Sequence, residues 1–146
     1  MKALVECLKG TKEKYEKEGD KLVLDRYLKR RWVANYGSIP NTLQADGDEL
    51  DCYIIGKTLH RGQIVDALPL CIIYVVDNGQ VDNKIICAAP TARKHNFHTI
   101  VNRIFKFIKK YKENSVPVFI SWRPQNITYE LAKCKAYYNL FKGGES

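Results

Sequence analysis

"GQIVDALPLCIIYVVDNGQVDNKIICAAP", Gly62 to Pro90, is the stretch whose reading decides the fold. Its apolar run from Ala67 to Val76 is about half the roughly 20 residues that a membrane-spanning helix needs, so it reads as a buried strand. The turn signal "DNGQ" ends that strand, and a second apolar segment, "NKIICAAP", follows at once. Working outward toward the N-terminus, "LDCYIIG" and "KLVLDRYL" are further β-type segments, with "ADGD" and "HRGQ" as turn signals. Several short strands at close spacing predict a small barrel or sandwich. Toward the C-terminus the period changes. Ile100, Val101, Ile104, Phe105, Ile108 and Tyr111 recur at helical spacing from Thr99 to Tyr111, with lysines on the other face. A strand "VPVFISW" follows, then a second helix from an N-cap at Asn126, with Ile127, Leu131, Cys134, Tyr138 and Phe141 on one face and Gly143-Gly144 as its stop. The expected class is α+β and β-rich, with two helices packed on a β body in one domain, residues 1–146.

Composition excludes several alternatives. With 45% hydrophobic and 27% charged residues the chain is neither disordered nor collagen-like. The N-terminus lacks the continuous apolar core of a secretory signal, and the five cysteines are odd in number, widely spaced and without a C-x-x-C pair. That is the pattern of small apolar residues in a reducing, intracellular compartment, with neither a disulfide framework nor a structural zinc site. His95 and His98 have a chelating spacing if helical, but two ligands alone do not make a metal site. A net charge of +8 implies affinity for an anion: nucleic acid, acidic lipid or a small phosphorylated substrate.

Against that background, "QADGDELDCYII" places Asp46, Asp48, Glu49 and Asp51 within six residues, which is four of the chain's 16 acids. These acids lead directly into an apolar strand, so they are expected to be half-buried. Two carboxylates about 4 Å apart repel by roughly 1 kcal/mol in water and about 4 kcal/mol at an effective dielectric near 20. Three or four of them together require a cation. A calcium-binding EF-hand loop fails: counted from Asp46, the sixth position is Asp51 where glycine is needed, and the twelfth is Lys57 where a bidentate glutamate belongs. Further on, Asp77 ends one apolar strand and Asp82 precedes Lys84 at the start of the next. Strand-end acids from two turns can converge on one mouth of a barrel, and an all-carboxylate set favours Mg²⁺ or Mn²⁺ over zinc. Glu49 reads as a solvated neighbour. Lys14 and Glu16 flank Tyr15, Arg26 lies inside a strand, and Tyr111-Lys112 end the first helix. Beside a carboxylate–metal cluster, such cations and phenols are what phosphoryl transfer uses to hold phosphate oxygens.

These residues resemble the soluble family I inorganic pyrophosphatases, whose signature is an aspartate-x-aspartate-x-hydrophobe-aspartate run, here "DGDELDC". The likeness extends in family order through "VECLKGTKEKYE", "LDRYL", "ANYGSIPNTL", "VVDNGQVDNK" and "KKYKE". It implies a five-stranded OB-like barrel with the active site at one mouth, and Mg²⁺-dependent hydrolysis of inorganic diphosphate to two phosphates. On the family's pattern Asp46, Asp51 and Asp82 would hold one metal, with Asp51 bridging to a second. Asp77 and Asp82 would bind a further ion arriving with substrate, and Asp48 would take the proton of the attacking water. Lys14, Arg26, Tyr36, Lys84, Tyr111 and Lys112 would be the diphosphate ligands, with Glu6 and Glu16 as supporting carboxylates. The resemblance also implies a cytoplasmic homo-oligomer with Mn²⁺ able to substitute, and no membrane or nucleic-acid partner. Trp32, Val33, Leu8 and Asn78 depart from the family pattern. The competing readings are an OB-like module that binds single-stranded nucleic acid through "KRRW" and "KFIKKYK", and a hydrolase of nucleotides or longer polyphosphates.

Overall fold

The segment 64–77, which contains the central apolar run, forms two consecutive strands separated only by Ala67, as seen in a computed structural model that describes residues 1–93 and 96–142. In chain order the strands are β1 (Lys2–Cys7), β2 (Glu13–Glu18), β3 (Lys21–Tyr27), β4 (Asn35–Ile39), β5 (Leu50–Ile55), β6 (Ile64–Asp66), β7 (Leu68–Asp77), β8 (Gln80–Val81) and β9 (Lys84–Ala88). Helix α1 (Phe97–Tyr111), strand β10 (Ser115–Ser121) and helix α2 (Pro124–Phe141) complete the described chain.

The main sheet runs β10-β7-β9-β5-β4-β1-β6, with β8 paired to β7. Its centre is the set β9-β5-β4-β1, completed to five by the bent strand β6–β7, which pairs with both outer strands of that set. Its first part pairs with β1 (Lys2 opposite Asp66) and its second with β9 (Leu68 opposite Ala88). The body is OB-like, with the ladder interrupted at Ala67 instead of closing continuously. β2 and β3 pair only with each other. "KLVLDRY" therefore belongs to a separate ribbon, consistent with its mostly exposed side chains.

Parallel neighbours β5 and β9 are buried on both faces, which is why "LDCYII" and "KIICA" are apolar runs and not alternating patterns. Their side chains still divide with period two. Cys52, Ile54, Ile85 and Cys87 join one core with Ile127 and Cys134 of α2. Tyr53, Ile55 and Ile86 join the other, with Val101, Ile104, Phe107 and Ile108 of α1. At roughly 1.5–3 kcal/mol per buried aliphatic or aromatic side chain, these two cores are what the helices contribute. β4 crosses β1 so closely that a Cβ on Gly37 would stand 1.8 Å from the Leu4 carbonyl oxygen. Only glycine fits there.

Helix α1 begins two residues before the expected Thr99, and it buries Phe107, which the sequence stripe omitted. The second helix begins at Pro124 and not after Asn126. Proline sits in its first turn, where a missing N–H is no loss, and the Asn126 amide donates to Ser121 Oγ at 2.7 Å. Its buried residues are Ile127, Glu130 and Cys134, whereas Phe141 is exposed. All five cysteines are buried and unpaired. No helix among the described residues is long and apolar enough to cross a membrane. His98 packs on Trp122 with ring centroids 4.3 Å apart, while His95 and the Gly143-Gly144 stop lie outside the described residues.

Candidate active site

The acidic loop is built by local hydrogen bonds. Gly47 has φ +88°, a conformation that favours glycine, and the Asp48 N–H donates to Asp46 Oδ1 at 2.9 Å, an Asx-type turn. The Gln44 N–H donates to the Asp48 carbonyl at 2.8 Å, and Leu50 N–H to Thr42 Oγ1 at 3.0 Å. This turn delivers Asp51 as the second residue of β5. There the parallel ladder sets it opposite Lys84, the first residue of β9.

Lys84 is the centre of the site. It is 3% exposed, and its ammonium donates to Asp51 Oδ2 at 2.6 Å, Asp82 Oδ2 at 3.0 Å and Tyr36 Oη at 3.1 Å. Tyr36 in turn donates to Asp51 Oδ2 at 2.6 Å. Burial alone would push the Lys84 pKa down, but Asp51 and Asp82 outweigh it and hold the amine protonated, far above its ordinary range. The Tyr36 phenol is raised by burial and by Asp51. Trp32 stacks beneath Tyr36 at 4.9 Å and donates its Nε1–H to the Glu13 carbonyl, so this departure from the family pattern serves as the support under that phenol.

The second acidic turn is a tight hairpin. Asn78 and Gly79 have φ of 51° and 77°, the pair of positive values that a two-residue type I′ turn requires, and asparagine tolerates the first of them. Asp77 ends β7, and Asp82 follows β8 directly. Burial would raise the Asp77 pKa, but Lys112 Nζ at 2.9 Å and Ser115 Oγ at 3.0 Å prevail and hold it below the usual carboxylate range. Gln44 ties the two acidic segments together: its Nε2 donates to Asp82 Oδ1 at 3.4 Å, and its Oε1 accepts from the Asn83 N–H at 3.2 Å.

Glu6 closes the floor. It is 7% exposed, and its carboxyl pKa is pushed up to about 7 by burial, with Asp51 and Glu49 adding to the rise while the Ser38 hydroxyl opposes it at 2.5 Å. Burial also raises Asp46, joined by the charges of Asp48, Asp82 and Asp51. Tyr111 is raised to about 12, first by burial, with Lys84 opposing and Asp51 reinforcing.

One cleft of about 460 Å³ gathers Glu6, Lys14, Glu16, Tyr36, Asp46, Asp48, Asp51, Asp77, Asp82, Lys84, Tyr111 and Lys112. Of the site residues that the resemblance implies, Arg26 alone is absent from that lining. It lies opposite Lys14 in the β2–β3 ribbon, half-exposed, with Asp25 at 3.9 Å. Ser38, Gln44 and Lys17 were not anticipated; as isolated neutral or surface-type residues they carry no spacing signal. Glu49 is not a solvated neighbour. It lines the cleft, its Oε1 accepts from Lys17 at 2.8 Å, and its Oε2 is buried without a partner among the described residues.

Among the described residues no three carboxylates already form a preassembled metal cage. The donors are nevertheless of the right kind. They are hard oxygens close enough to raise one another's pKa, and Lys84 occupies the position of a cation between two of them. Mg²⁺ keeps several waters and is commonly held by one or two carboxylates, so it needs no closed cage.

The sequence profile of the family described as Inorganic pyrophosphatase matches residues 3–127. The inorganic pyrophosphatase of Picrophilus torridus is 36% identical over 75% of this chain and 70% of its own length. That of Caulobacter vibrioides is 32% identical over the whole of this chain and 76% of its own. The crystal structure of the Thermus thermophilus inorganic pyrophosphatase superposes with a TM-score of 0.85 over 95% of this chain and 91% of that one, at 23% identity, a likeness of fold.

Proposed function

Because this chain belongs to the inorganic pyrophosphatase family, we propose that it hydrolyses inorganic diphosphate to two phosphates with Mg²⁺ bound in its acidic cleft. The observation that carries this reading is the meeting of two acidic turns with Lys14, Lys84, Lys112, Tyr36 and Tyr111 in one cavity. Asp46, Asp51 and Asp82 would hold one ion, Asp51 would also serve a second, and Asp77 with Asp82 would serve a further one; Mn²⁺ has the same preference for oxygen ligands. Bound there, such ions lower the pKa of a water and offset charge on the phosphate oxygens.

The chain's own groups do the rest. Asp48 is exposed on the loop, open to solvent water, and accepts the proton of the water whose oxygen forms the new bond to phosphorus. The bridging P–O bond breaks, and its electron pair leaves with the second phosphate. Lys14, Lys112 and the two phenols hold that phosphate's oxygens as its charge grows, and Arg26 joins them from the ribbon. Lys84 supports Asp51 and Asp82, and Glu6 and Glu16 are second-rank carboxylates around them. The buried free thiols suit the reducing cytoplasm. Exposed Val116, Val118 and Phe119 on β10 suit burial against another copy of the chain.

Phosphate release from diphosphate, measured by a colorimetric assay with and without Mg²⁺, tests the reading. Asp48→Asn is expected to lower turnover about 10²- to 10⁴-fold, the usual contribution of a general base. Absence of release by the unaltered chain, or full turnover by the variant, overturns the reaction or the base respectively. Diphosphate should be turned over in preference to tripolyphosphate and nucleoside triphosphates.

A further inference from the structure

We infer that Lys17 and Glu49 form a latch that holds the β2–β3 hairpin against the acidic loop and thereby positions Glu16, and through Asp25 the Lys14 ammonium, over the cleft; the inference rests on the diphosphatase reading of that cleft. The hairpin is a two-stranded sheet by itself, and such a unit is marginal in water unless something holds it. Its root is well fixed. The Trp32 indole donates to the Glu13 carbonyl at 2.9 Å, Arg61 reaches Glu13 Oε2 at 3.3 Å, and the Arg61 guanidinium lies 3.6 Å from the centre of the Tyr15 ring. Beyond Tyr15 the hairpin is a cantilever. Among the described residues, the only ion pair or side-chain hydrogen bond that joins residues 16–25 to the chain outside the hairpin is Lys17 Nζ to Glu49 Oε1, at 2.8 Å.

Both partners belong to the cleft. Lys17 comes from the hairpin wall, and Glu49 comes from the loop between Asp48 and Asp51. Glu49 is held with its second oxygen buried and, among the described residues, without a partner, and Lys17 is the cation paired with its first. Losing either member leaves Glu16, and with it Asp25, which pairs with the Lys14 ammonium at 3.6 Å, on strands fixed only at their root. Lys17 and Glu49 are therefore positioning residues.

Amide hydrogen exchange of the metal-free, substrate-free chain, followed by steady-state kinetics with Mg²⁺ and diphosphate, tests this. Lys17→Met and Glu49→Gln should each speed exchange in residues 16–25 about two- to fivefold, as expected for a partly exposed ion pair. Each should raise KM by a similar factor with kcat changed by less than about twofold. The double variant should exchange no faster than either single one, and Lys17→Arg should keep the slow exchange. Unchanged exchange in the single variants, or additive effects in the double, overturns the latch. A chain that shows this exchange pattern yet releases no phosphate overturns the diphosphatase reading and leaves the latch standing.

Discussion

Glu6 shows how a single residue carries its surroundings in its titration. Buried under Ser38 and facing Asp51, Glu49 and Lys14, it holds its proton to about pH 7, whereas an unfolded glutamate releases it near 4.5. Folding therefore takes up a proton between those values. The stability this contributes is fully present below the unfolded pKa and is lost as pH rises through the folded one, a difference on the order of 3 kcal/mol. Urea unfolding of the metal-free chain at pH 4.5 and 7.5 should show Glu6→Gln gaining on the unaltered protein as pH rises. Equal slopes for the two would refute the assignment. At this scale the sequence was informative where charge met spacing: Asp46, Asp48 and Asp51 stood out as a cluster, and Asp77 and Asp82 as strand ends. It could not show that Glu49 turns inward, because the Asx turn and the positive φ of Gly47 break the alternation that would have assigned its side. Ser38 and Gln44 were invisible for a different reason, since their roles depend on partners far along the chain.

At the scale of elements, the periodic ones were legible. α1 appears within two residues of its stripe, and the apolar runs became β5, β7 and β9. Pairing was not legible. Nothing in "LDCYII" and "KIICA" states that they lie side by side in parallel, yet that register is what places Lys84 opposite Asp51. "NYGSI" gave no strand signal because glycine and asparagine are poor strand formers. Tertiary contact overrides that preference, and β4 is buried along its length. Its glycine offers a direct test. Gly37→Ala drives a methyl into the Leu4 carbonyl, so β1 and β4 must separate or bend. We expect a loss of about 3 kcal/mol or more in urea unfolding, above the usual range for an overpacked site because the obstacle is backbone. A loss below about 1 kcal/mol would show that the crossing is looser than described.

As a whole molecule, the chain has two cores on opposite faces of one sheet, and the expectation is a single cooperative unfolding transition with no need of metal. Mg²⁺ should then add stability through mass action, about 2.7 kcal/mol at a hundredfold excess over its dissociation constant. A thermal melt across a Mg²⁺ series would reveal this as a rising midpoint, and a midpoint indifferent to Mg²⁺ would exclude binding to the folded chain. The ammonium of Lys84, lodged between Asp51 and Asp82, has a consequence for which ions succeed. That ammonium is a tethered cation that is never diluted away, so an ion held by Asp51 and Asp82 would have to compete with a full positive charge at hydrogen-bonding distance. Potassium and sodium, with one charge each, gain nothing by the exchange. A small divalent ion would, and the lysine would thereby act as a threshold against monovalent cations at the acidic mouth.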